Sequence, residues 1–217
     1  MNDPATLVGR SALLLDLDGT LYPASSHRAY LDTVKRITGM RVEEVYDASD
    51  PDSAYADLQA DRSKYGFGSD TETLRERWGI GIAEMNRFRE RWTRPSDFLA
   101  PEPRVATAVE RMLASRTLIL GTNNTPVLAR RILKVLEIPE GWFAAIFSSE
   151  DLGAAKPDRA FFERICERAG LSAHAFVSVG DRAASDLSPA ADMGMETWLV
   201  VSTEDLEALA DACEATC

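Results

Sequence analysis

Asp16 and Asp18 stand two residues apart at the end of the segment Ala12 to Leu17, and Gly19 follows them. Two carboxylates at that spacing suit phosphoryl transfer. One can attack phosphorus and form an aspartyl-phosphate, which splits one difficult displacement into two easier ones. The other can protonate the departing alkoxide and later take a proton from the attacking water. Far along the chain, Asp181 and Asp186 offer further oxygen donors. Magnesium is usually held by one or two carboxylates together with substrate phosphate and water. Asp16, Asp18, Asp181 and Asp186 are therefore the candidate metal set, with Asp16 and Asp181 supplying the direct carboxylates and Asp186 acting from behind them. Thr122 carries a hydroxyl suited to a phosphate oxygen, Asn123 is beside it, and Lys156 adds a positive charge. Thr122, Asn123 and Lys156 are candidate substrate ligands that oppose the charge spread over a transferring phosphoryl group.

The elements that must position these residues are legible as apolar runs. The run through Ala12–Leu17 reads ALLLDL, a short strand that opens into acids and glycine. Similar runs occur at Thr117–Gly121, Ala144–Ser148, Phe176–Val179 and Thr197–Val201. Strands that lack polar alternation are those buried on both faces, as in parallel sheets. Helical spacing lies between them: Leu128, Ile132, Val135 and Leu136 share one face, as do Phe161, Phe162, Ile165 and Ala169. Ser188-Pro189 followed by Gly194 reads as a helix with an N-cap, a proline at its first position and a glycine stop. The alternation predicts an α/β fold, a Rossmann-like doubly wound parallel sheet with helices on both faces. In such sheets ligands bind beyond the carboxyl ends of the strands, near the point where strand order reverses. Asp16, Asp18, Thr122, Asn123 and Asp181 all follow strand ends, and Lys156 lies in the loop after the third strand. Any one of them alone reads as a turn former or a solvated loop residue. Their joint placement at strand ends favours a site.

From about Ala24 to Ala100 the alternation stops. This stretch is rich in Asp, Glu and Arg and holds Trp78 and Trp92. It reads as a helical insertion, which gives a core domain of residues 1–23 and 101–217 and a cap domain of residues 24–100. A glycine-marked loop, Tyr65 to Asp70, is expected within it. Lys64 and Tyr65 there are candidates for contact with a bound organic group. Trp78 and Trp92 read as cap core, Arg87, Arg89 and Arg91 as a solvated face, and His27 and His174 as loop residues.

The chain has 217 residues and a formal net charge of −11. That charge repels nucleic-acid backbones and anionic membranes, so neither is an expected partner. A small anionic substrate is compatible with it where a bound divalent cation reverses the local sign. No apolar run approaches the roughly 20 residues of a membrane span, and residues 1–10 lack a secretory pattern. Cys166, Cys213 and Cys217 form no metal-ligand pattern, with Cys166 expected to be a buried thiol. Such an unpatterned set suits a reducing compartment, and the expected location is cytoplasmic.

The set as a whole resembles the haloacid dehalogenase superfamily of phosphatases over essentially the whole chain. Asp16-Leu17-Asp18-Gly19-Thr20-Leu21-Tyr22 resembles the first family motif and Thr122-Asn123 the second. Lys156-Pro157 resembles the third, and Gly180-Asp181 with Asp186 the fourth. The resemblance implies that the first and fourth strands lie side by side, so that Asp16 and Asp181 meet. It also implies a helical cap after the first motif, a magnesium cofactor, and a small-molecule phosphate ester as substrate. Tyr22-Pro23 with Ser25, and Lys64-Tyr65-Gly66, are similar to the pyrimidine 5′-nucleotidase-like branch, which implies a pyrimidine nucleoside monophosphate. Gly19 and Arg182 depart from that branch. The alternatives are a phosphatase for a sugar phosphate or phosphoglycolate, and a phosphomutase. Asp18 and the acidic pair argue against a 2-haloacid dehalogenase, and the complete set argues against a non-catalytic binding domain.

Overall fold

The computed structural model of the chain describes residues 2–23, 28–46, 50–67 and 70–216. Ala24, Ser25, His27, Gly68, Ser69 and Cys217 lie outside the described residues. The chain divides into two compact units, one of residues 1–28 and 99–217 and one of residues 29–98.

The second unit is built on four helices: α1 (Arg28–Tyr46), α2 (Pro51–Tyr65), α3 (Asp70–Trp78) and α4 (Ile82–Trp92). Its apolar centre is Val42, Ala54, Leu58, Leu74, Ile80 and Met85, with Tyr55, Trp78 and Phe88 packed around it. Asp50 caps α2 by accepting from the backbone N–H groups of Asp52 and Ser53. Asp70 ties α3 to α2, because it accepts from Tyr55, Gln59 and Arg62. Three sequence readings are corrected here. Lys64 and Tyr65 are the last residues of α2 and not part of a loop, since Gly66 closes the helix in the left-handed conformation at φ 71°. Trp92 is 47 % exposed and does not join the unit's core. Arg87 and Arg91 are exposed, whereas Arg89 is half-buried and donates to the Thr38 hydroxyl.

The main sheet of the first unit has five strands, β1 (Ala12–Leu15), β2 (Thr117–Thr122), β3 (Ala145–Ser148), β4 (Phe176–Gly180) and β5 (Glu196–Leu199), beside a short pair, Asp18–Gly19 with Tyr22–Pro23. The five are all parallel, in the order β3-β2-β1-β4-β5. Every residue of β1 and β4 is buried, as expected of strands covered on both faces. Ala12, Leu14, Ile119 and Phe176 pack on one face against Phe161, Phe162 and Ile165. Those three belong to a helix whose apolar residues recur at helical spacing, Arg159–Ala169. Leu13, Leu15, Leu118, Leu120, Val177 and Val179 are also buried and alternate with the first set, so they serve the opposite face. The helices Pro103–Leu113 and Thr203–Ala215 are joined by Arg104 to Glu204 and Glu207 and by Arg111 to Asp211 and Glu214. Strand order reverses at β1: the chain steps outward through β2 and β3, then crosses to β4 on the other side.

Two smaller readings change. Ser188 opens a four-residue helix, Ser188–Ala191, from inside it and is not its N-cap; its backbone N–H instead closes the preceding turn, Ala183–Leu187, which is of the wide π type. Of the cysteines, Cys213 is fully buried and Cys166 is only partly so. Among the described residues, no helix is long and apolar enough to cross a membrane.

Phe161 is fully buried and meets Phe162 edge to face at 5.4 Å, between the sheet and its covering helix. Phe161→Ala should cost about 3–5 kcal/mol of stability. Chemical denaturation followed by fluorescence should show that loss. A change within about 0.5 kcal/mol would mean that this helix does not hold the sheet.

Candidate active site

Asp16 follows β1 directly and is held at its end by the sheet itself, since its backbone N–H donates to the Val179 carbonyl of β4 at 2.9 Å. Asp16 as a whole is 7 % exposed. Oδ1 accepts from the Lys156 ammonium at 2.5 Å, and Oδ2 accepts from the Thr20 hydroxyl at 3.0 Å. The same ammonium donates to Oδ1 of Asp186 at 2.6 Å, so one buried cation bridges two acids that are 170 positions apart in the chain. Lys156 is itself fixed by its main chain. Its N–H donates to Asn123 Oδ1 at 2.9 Å, and its carbonyl accepts from Asn123 Nδ2 at 3.0 Å.

Asp18 sits two residues past Asp16, where the chain coils round and makes Asp18 the parallel register partner of Tyr22. The Tyr22 hydroxyl donates to Asp18 Oδ1, and Asn124 Nδ2 donates to Oδ2. Asn124 also donates its backbone N–H to the Thr122 hydroxyl oxygen at 3.1 Å, and Thr122 is fully buried at the end of β2.

Asp181 and Asp186 follow β4. Gly19 has a φ of +87°, and a Cβ there would lie 2.4 Å from Asp181 Oδ2. Glycine is thus required twice over, by the backbone and by the close approach of the acid. Gly180 serves Asp186 in the same way, since a Cβ on it would lie 2.4 Å from the Asp186 Cβ. Asp186 is 4 % exposed. Its Oδ2 accepts from the Arg182 N–H and the Ser185 hydroxyl, each at 3.1 Å, and its carbonyl accepts from Ser178. One carboxylate oxygen each from Asp16, Asp181 and Asp186 lie within 4.8 Å of one another.

Crowding governs the charge of the group. Burial, and then the nearby Asp16, push both Asp18 and Asp181 up to about 7. Asp16 is raised as well, by burial first, with Lys156 acting against the shift and Asp186 adding to it. Burial disfavours the Lys156 ammonium, but Asp16 and Asp186 outweigh it and hold the lysine above its usual range. Arg182 is also raised, although its side chain is largely exposed: partial burial opposes its charge and Asp181, 3.6 Å away, favours it.

The structure therefore brings together Asp16, Asp18, Thr122, Lys156, Asp181 and Asp186. Asn123 adjoins them with both ends of its amide on the Lys156 main chain. Lys64 and Tyr65 belong to the other unit. There the Tyr65 ring lies beneath the Lys64 ammonium at 5.0 Å and the Arg77 guanidinium at 4.4 Å. Sequence reasoning missed Thr20, Tyr22, Asn124, Ser178 and Arg182. Thr20 and Tyr22 stood inside the stretch already singled out, and Asn124 one residue beyond Thr122-Asn123. Nothing in the sequence marked Ser178.

Comparison with known proteins agrees with this arrangement. The family described as haloacid dehalogenase-like hydrolase matches residues 11–194. The glyceraldehyde 3-phosphate phosphatase of Methanocaldococcus jannaschii is 41 % identical over 56 residues, which is 26 % of this chain and 25 % of that protein. The match thus spans about a quarter of that relative's length. Two solved structures share the fold. The HAD-hydrolase YfnB of Bacillus subtilis bound to magnesium has 18 % identity and a TM-score of 0.54, covering 93 % of this chain and 99 % of that one. A HAD phosphatase of Thermococcus onnurineus has 19 % identity and a TM-score of 0.59, covering 88 % and 86 %. With the family matched across most of its length and its acids gathered where the strand order reverses, the chain belongs to the haloacid dehalogenase-like hydrolases.

Proposed function

We propose that the protein is a magnesium-dependent phosphomonoesterase that attacks a small organic phosphate with the carboxylate of Asp16. The observation that carries this reading is the convergence of Asp16, Asp181 and Lys156, from three distant segments, at the switch point of the sheet. Asp16 is the nucleophile, and the Lys156 and Thr20 contacts hold its two oxygens in place. Asp18 gives its proton to the ester oxygen as the P–O bond breaks and Asp16 takes the phosphoryl group. It recovers a proton from the water that then attacks the aspartyl-phosphate. The Thr122 hydroxyl and the Lys156 ammonium oppose charge on the phosphoryl oxygens. Asn123 positions Lys156 through both ends of its amide, alongside the substrate contact its sequence position suggests. Residues 29–98 are assigned the role of a cap.

The donor set fits a divalent cation. One carboxylate oxygen each from Asp16, Asp181 and Asp186 converge beside Lys156, and all the donors are hard oxygens. Asp16 and Asp181 follow the adjacent strands β1 and β4 and bring oxygens within 4.8 Å of one another, so they would hold the ion directly, and Asp186, bonded to Lys156, Arg182 and Ser185, would act through Lys156. When bound, magnesium would supply positive charge beside the transferring phosphoryl group.

Phosphate release from 4-nitrophenyl phosphate should require magnesium, stop with chelator, and fall to background in Asp16→Asn while the fold persists. Substantial turnover by Asp16→Asn, or full activity in a metal-free preparation, would overturn the reading.

Substrate class is a separate question. The nucleotidase-like residues point to a pyrimidine nucleoside monophosphate, whereas the partial likeness to a glyceraldehyde 3-phosphate phosphatase favours a small sugar phosphate. A panel of pyrimidine and purine nucleotides, glyceraldehyde 3-phosphate, phosphoglycolate and hexose phosphates decides between them by kcat/KM. Activity on sugar phosphates alone would discard the nucleotide branch and leave the phosphatase standing.

The metal reading also sets a pH dependence for stability. Asp18 and Asp181 titrate near 7 in the folded protein and near 3.8 when free. The folded chain therefore binds more protons than the unfolded chain between those values, and stability falls as pH rises through that window. In chelator, Asp181→Asn should gain Tm relative to the parent on going from about pH 4.5 to about pH 7.5. Magnesium should stabilise the parent most at the upper end. A pH-independent difference between the two proteins would remove the charge crowding from the account.

A further inference from the structure

The Asp18 carboxylate is gripped from both edges, by Tyr22 at Oδ1 and by Asn124 at Oδ2. Neither holder is free to drift. Tyr22 is fully buried and is the register partner of Asp18 in the turn that follows β1. Asn124 is locked through its own backbone N–H to the Thr122 hydroxyl. One grip comes from four residues away and the other from 106, so a local turn and a distant strand end fix the same carboxyl plane.

From this we propose that Tyr22 and Asn124 are positioning residues for proton transfer, which act by aiming Asp18 at the oxygen of the departing alcohol. The inference rests on the phosphatase reading of the same site. An amide nitrogen can only donate, so Asn124 keeps Oδ2 an acceptor in every protonation state. A phenol can donate or accept, so Tyr22 can stay bonded to Oδ1 whether Asp18 is the carboxylate or the acid. Each carboxyl oxygen keeps a second lone-pair direction through which the proton reaches or leaves the substrate. In the forward step the Asp18 proton goes to the ester oxygen as the P–O bond breaks and the bond from Asp16 to phosphorus forms. In the return step a proton from the attacking water restores the Asp18 acid as that bond is hydrolysed. Misplacement of a catalytic group by about 1 Å can cost on the order of 100-fold, so loosening either grip should tell most where the leaving group depends on the proton.

The test compares an aryl phosphate, whose phenolate leaves readily, with an alkyl phosphate, whose alkoxide needs the proton. In Tyr22→Phe and in Asn124→Ala the ratio of aryl to alkyl kcat/KM should rise about 10- to 100-fold. Hydrolysis of the shared aspartyl-phosphate drops out of this ratio. So does any fall in the folded fraction, because it scales both rates equally. Each substitution made in an Asp18→Asn background should leave the ratio of that background unchanged. A parental ratio in both single variants, or the same rise in the Asp18→Asn background as in the parent, would overturn the proposal. Phosphatase activity that is lost in Asp16→Asn while the ratio ignores Tyr22 and Asn124 would overturn this inference alone. Parent and Asp16→Asn proteins equally inert on both esters would overturn the phosphatase reading, and this inference with it.

Discussion

Four carboxylates crowd the ends of β1 and β4, and the ammonium of Lys156 bridges the buried pair among them. Bringing Asp16 and Asp186 together out of water is costly, because desolvation and like charge both disfavour the ionised forms. A single cation within 2.6 Å of both offsets the two penalties at once. Removing it would leave two buried charges facing each other without compensation. The rest of the site is arranged around that bridge. Asn123 holds the lysine's main chain, Thr20 takes the remaining oxygen of Asp16, and Ser185 with the Arg182 N–H takes the remaining oxygen of Asp186.

Such closeness needs a backbone that stays out of the way. Asp181 comes so near Gly19, and Asp186 so near Gly180, that any side chain at either glycine would occupy the acid's place. The parallel sheet supplies the other half of the geometry. Adjacent strands running the same way present their carboxyl ends at one edge, and the reversal of order at β1 opens that edge to a ligand. Fold and chemistry thus meet at the two loops that leave β1 and β4.

Much of this was legible in the sequence, and what was not shares a physical reason. An apolar run of four residues without alternation that opens into acids and glycine, as at Ala12–Leu15, suits a short strand covered on both faces, so the sheet could be read from such runs. The acids stood out because several polar residues follow strand ends together, where one alone would read as a turn former. The Lys64-Tyr65-Gly66 stretch misled because glycine both opens loops and closes helices, and only the backbone angle tells which. Trp92 misled because a large aromatic residue on a helix is ordinarily core, yet it stands half exposed. The grip of Asn124 on Asp18 was beyond reach, since a hydrogen bond across 106 residues leaves no local pattern.

The double hydrogen bond between the Asn123 amide and the Lys156 main chain joins residues 33 positions apart. A single bond would be a pivot, whereas two parallel bonds from a planar amide form a rigid coupling. The segment between them is therefore mechanically separated from the ammonium it leads to. Loops there can lengthen or shorten at an entropic cost that grows only with the logarithm of their length, while the lysine stays registered to the end of β2. The coupling thus ties the lysine to the end of β2 directly, past the helices and the strand that lie between them in the chain.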